Sequence, residues 1–160
     1  MRFPAPPAVS LPDSPGMPVL PREAAEPIWV TPPVLLAIRD ELIEEHGPFV
    51  MPDMEQSERD ALLIALEVPR RRWLAAQETA RPPIDELAAA LGMSLACSPV
   101  GHPCLALAAV DVFLRLNDRQ LQANEGEAVG VFREAASGLL QERQMLSWLR
   151  SPGIYLWPLG

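Results

Sequence analysis

Apolar and polar positions alternate along this chain in a rhythm that predicts helices. Val34, Leu35, Ile38, Leu42 and Ile43 recur every three or four residues, while Arg39, Asp40, Glu44 and Glu45 fall on the opposite side. Thr31 stands as the N-cap before Pro32 at the first helical position, and Gly47-Pro48 closes the run. Residues 48–56 read as a loop. A second helix is expected from Ser57 to Val68, with Leu62, Leu63, Ala65 and Leu66 as its stripe and Pro69 as its end. Pro82-Pro83 opens a third, Ile84 to about Ala96. Its Ala and Leu content predicts a position at the centre of a bundle. After a break at residues 97–103 a fourth runs from about Pro103 to Asn117, and Asn117-Asp118 turns the chain. A fifth (about Glu125 to Ser137) and a sixth (about Gln141 to Arg150) follow. Ile28-Trp29-Val30 is β-branched and aromatic enough to read as one edge strand. The expected class is all-α, a compact bundle of about six helices.

Composition sets the limits of this picture. With 160 residues, 49% of them hydrophobic and 21% charged, the chain has material for one cored domain. The formal net charge of -8 argues against a general nucleic-acid binder, which needs a basic face to neutralise phosphates. Partners, if charged, should be basic. No apolar run approaches the roughly 20 residues of a membrane span, and the N-terminal stretch is broken by prolines rather than built around an apolar signal core. Cys97 and Cys104 form no disulfide framework. A cytoplasmic location is therefore expected, with no membrane partner.

Proline organises the ends. There are 19, ten of them within the first 33 residues, so residues 1–27 are expected to be an extended or disordered arm. Residues 28–150 form the helical domain, and 151–160 a tail rich in aromatics and proline. Arg70-Arg71-Arg72-Trp73 is a basic, aromatic run in an acidic protein. It reads either as a solvated charge run beside a packed tryptophan or as a partner contact; Tyr155 and Trp157 on the tail are further partner-binding candidates.

Three blocks, VTPPVLLAIRDELIEEHG, ALLIALEVPRRRW and ACSPVGHPCLALAAVDVFLRLND, with the ending QERQMLSWLR, resemble the Fic/Doc (death-on-curing) family over about residues 28–150. The resemblance implies the Fic/Doc-like helical fold and, for active members, transfer of AMP or phosphate from a nucleotide with Mg²⁺ to a protein hydroxyl. The family's loop motif is His-Pro-Phe-x-(Asp/Glu)-Gly-Asn-(Lys/Gly)-Arg. In it the histidine takes the hydroxyl proton, the acid holds the metal, and the glycine turn and basic residues cradle the anion.

Counting back without gaps from Val112-Phe113-Leu114-Arg115-Leu116-Asn117 puts Ala96 at the histidine, Ser98 at the phenylalanine and Val100 at the acid. Gly101 is retained, His102 stands at the asparagine, and Pro103 and Cys104 replace the basic pair. Setting His102-Pro103 on the family's His-Pro instead fails, because Leu105 to Val110 holds no acid, glycine or cation. Loss of a general base alone costs about 10²–10⁴ in rate, and the metal ligand and anion clamp are gone as well. The expectation is a catalytically degenerate member that binds or regulates another protein, in a toxin–antitoxin or phage-related setting, with no cofactor. The alternative is a divergent transferase in which His102 or Arg70 to Arg72 supplies new chemistry. A third reading is an interaction module whose arm and tail do the binding. Among single residues, His102 reads as a loop cap or a new base. His46 complements the end of the first helix, and Asp111 pairs with Arg115. Cys97, His102 and Cys104 do not have a known zinc spacing.

Overall fold

A computed structural model describes residues 25–47, 54–99 and 102–151, together with the backbone of 155–156. Among them are seven α-helices: α1 (Pro32–His46), α2 (Gln56–Leu66), α3 (Val68–Ala75), α4 (Ile84–Ala96), α5 (Pro103–Leu116), α6 (Glu125–Ala136) and α7 (Glu142–Leu149). A single 3₁₀ turn (Glu78–Ala80) lies between α3 and α4. Two short strands, β1 (Gln120–Leu121) and β2 (Tyr155–Leu156), pair antiparallel with Gln120 opposite Leu156 and Leu121 opposite Tyr155. The expected all-α bundle is the architecture found. None of the described helices is long and apolar enough to cross a membrane.

α4 is the axis. Leu87, Ala88, Ala89, Ala90, Leu91, Gly92, Leu95 and Ala96 are all buried, so the helix is covered on every side. It packs against α2, α3, α5, α6 and α7. Asp85 and Glu86 in its first turn complement the helix dipole. Gly92 sets how near the neighbours come: a Cβ there would stand 2.8 Å from Phe132 Cε1 and 2.9 Å from Met145 Sδ. α5 lies alongside and buries Leu105, Ala106, Ala109, Val110, Phe113 and Leu114. Capping boxes start α2 (Glu55 with Glu58) and α7 (Gln141 with Gln144).

The sequence pattern errs at two places in the fold. Pro69 does not end a helical stretch; it opens α3. Glu67 turns the chain, and the ring then occupies an early position where no amide hydrogen is needed. Arg70 to Trp73 is therefore helical, in a short helix α3 that follows α2 directly within the expected bundle of about six. Ile28 to Val30 is not a strand. Its partner is a side chain: Asn117 Oδ1 accepts from the Ile28 amide at 2.9 Å, and Asn117 Nδ2 donates to the Ile28 carbonyl at 2.9 Å. This amide clamp does locally what a neighbouring strand would do. It seats Trp29 over Phe113, rings stacked at 5.9 Å and 17°, and edge-on to Trp73 at 6.4 Å.

Candidate functional site

The α4–α5 connection is where the motif of the resembled family would lie, and Ala96, Cys97 and His102 take up structural duties there. Ala96 is the last residue of α4 and is 2% exposed, packed into the core. A methyl group packed in the core carries no group for proton transfer. Cys97 caps the C-terminus of α4 and donates its thiol hydrogen to the Ala135 carbonyl at 3.3 Å, linking the loop to α6. Ser98 Oγ is shielded and has no hydrogen-bond partner among the described residues. Val100 and Gly101 lie outside the described residues. Cys97 and Cys104 are both free thiols.

His102 is the N-cap of α5. Its backbone is extended (φ −128°, ψ 132°), and its Nδ1 accepts from the Cys104 amide at 3.1 Å. Pro103 then starts the helix at a position where its missing N–H costs nothing. The cap fixes the tautomer: Nδ1 supplies the lone pair, so the proton of the neutral ring sits on Nε2. A neutral histidine so arranged carries a donor, not a lone pair, on its other ring nitrogen. Burial, and then the positive charge of Arg133 on α6, lower its pKa below the usual histidine value. The alternative in which His102 supplies a new general base finds no support in this geometry.

Val100 offers no carboxylate where the metal ligand would stand, and Pro103 and Cys104 no cation where the phosphate clamp would. Among the described residues no group of three or more His, Cys, Asp or Glu is placed to hold a metal ion.

The basic run on α3 is largely spoken for. Arg70 faces Glu67 at 3.6 Å and Glu26 at 4.0 Å. Arg72 pairs with Glu142 of α7, and that hydrogen bond raises the pKa of the guanidinium. Trp73 is 4% exposed, beneath Arg81, whose guanidinium carbon lies 4.9 Å from the ring centre. As a partner-binding candidate Trp73 is therefore corrected to a core residue: the helix periodicity that follows Pro69 turns it inward. Arg71 is left on the exposed side of α3, with Leu74 at 54% exposure on the same helix and Ile64 of α2 at 58%. Tyr155 sits in β2 opposite Leu121; Trp157 lies outside the described residues.

One groove was invisible in the sequence. A hollow of about 260 Å³ follows Cys104, Leu107, Ala108, Asp111 and Arg115 down α5. It is walled by Leu42 and His46 of α1, Leu121 and Ala123, and the start of α6. Asp111 and Arg115 are joined on its rim at 3.2 Å, the pairing expected from their spacing. The lining comes from four separate stretches of chain, so no local motif signals it. Compared with known proteins, the chain matches no family model and no curated protein.

Proposed function

We propose that this is a catalytically degenerate Fic/Doc-like protein that acts by binding another protein. The observation that carries the reading is the state of the two loop positions where chemistry would reside. Ala96 is packed inside the core, and His102 spends its one ring lone pair on the α5 cap. The order of elements, a central α4, a short loop and α5, supports the relation to the family; the side chains in the loop support the loss of transfer. The binding surface we assign is the exposed side of α2 and α3, which carries Ile64, Arg71 and Leu74. An exposed cation and exposed aliphatic side chains suit an acidic and apolar partner surface, whereas the net charge by itself favours a basic one. The local surface decides contact; the net charge acts at longer range. A toxin–antitoxin or phage-related setting belongs to this proposal.

The test has two arms. Melting the protein with ATP–Mg²⁺, other nucleoside triphosphates and CDP-choline should leave the transition unmoved, and labelled nucleotide should transfer to no protein. A clear shift together with label transfer would overturn the pseudoenzyme reading in favour of a divergent transferase. In the second arm, Arg71→Glu with Leu74→Glu should abolish recovery of a partner that the unaltered protein captures, with unchanged melting. Equal recovery by the variant removes the α2–α3 surface.

A further inference from the structure

We propose that His102 is a proton-operated latch: its neutral imidazole holds the first turn of α5 closed, and protonation releases that turn. The inference does not depend on the family reading. It starts from the kind of cap present. A serine or aspartate at an N-cap keeps its acceptor through the physiological range, whereas an imidazole accepts at Nδ1 only while that nitrogen is unprotonated. Here the Cys104 amide rests on that nitrogen at 3.1 Å. Adding a proton sets N–H against N–H and puts a positive charge on the positive end of a 14-residue helix.

The surroundings act in the same direction. From α6 the facing charge is Arg133. From α1, His46 lines the same groove as Cys104. Along the loop itself the titratable neighbours are the thiols of Cys97 and Cys104. No carboxylate among the described residues forms an ion pair with His102. Folding therefore favours the neutral ring, and the folded chain binds fewer protons than the unfolded chain. The stabilisation is complete above the ordinary histidine value of about 6.5 and is lost as pH falls from there through the lowered folded value. The released turn carries Cys104, which is both the capped amide and part of the groove wall. Acid thus loosens one side of the groove.

With only two histidines in the chain, His46→Gln leaves a single imidazole to follow. Titrating this labelled variant from pH 8 to 5 by NMR should show the Nε2–H tautomer at neutral pH. As the ring protonates, the Cys104 amide should shift and its exchange, corrected for intrinsic rate, should rise about fivefold, the equivalent of a typical N-cap. Adding Arg133→Gln should move the midpoint upward. Replacing His102 by Asn, a cap that does not titrate, should flatten the response of the Cys104 amide. An Nδ1–H tautomer, or a Cys104 amide blind to the imidazole titration, overturns the latch. Because the His102 titration is read in a chain that keeps this cap, the outcome stands even where His102→Asn folds poorly.

Discussion

The side chain at residue 96 is a methyl group with no free space around it. Ala96→His, which places there the histidine of the motif that the chain resembles, would push an imidazole into packed helices and bury its polar ring. The expected outcome is a loss of more than about 2 kcal/mol of stability, from overpacking and an unpaired polar group, with no label transfer. Chemical denaturation and a transfer assay check both halves. An Ala96→His variant that melts like the unaltered protein would show that the position opens to solvent after all. At this scale the sequence told what kind of residue occupied each loop position but not which way it pointed. The absence of acid and cations was legible from identity alone. The capping role of His102 rests on one backbone conformation and one acceptor nitrogen, which no spacing rule reports. Of the two readings of Arg70 to Trp73, the charge run beside a packed tryptophan is the one found, although ending the helix at Pro69 left Trp73 without a helical face to predict it.

Elements here are joined by single side chains as much as by packed faces. Asn117, just past the end of α5, bonds both polar groups of Ile28 and donates to the Phe113 carbonyl at 2.8 Å. Through it α5 holds the segment entering α1. Asn117→Ala should cost about 1–3 kcal/mol, summing the net worth of the lost hydrogen bonds. It should also speed exchange of the Ile28 amide well beyond the change in global stability. Exchange of that amide no faster than the global change would remove the clamp. Helix ends written in local chemistry were the most legible part of the fold. α4 begins and ends where Pro82-Pro83 and its apolar run predict, and α5 starts at Pro103. The extended segment at residues 28–30 misled for a physical reason: β-branched and aromatic residues signal extension, not the partner that satisfies it, and here the partner is 89 residues away.

Over the whole molecule, helices differ in how firmly they are held. α4 is enclosed by five others, whereas α1 packs chiefly on α5 and buries a single residue completely, Leu35. Native-state hydrogen exchange should therefore find α4 amides opening only with global unfolding. The amides of α1 should open at lower free energy, as a separate unit. Equal protection of the two helices would show that the molecule melts as one piece. The bundle as a class was legible because α4 reads as apolar on all sides. The groove was not, because its walls meet only after folding. That groove has one firm side and one weak side: α5 beyond its first turn belongs to the core, while Leu42 and His46 ride on the helix with the least anchorage. Its capacity is thus a statistical property rather than a fixed dimension. A guest too large for the resting hollow pays only the small local cost of lifting α1, and a guest that bridges α1 to α5 would tighten the molecule and slow exchange across α1.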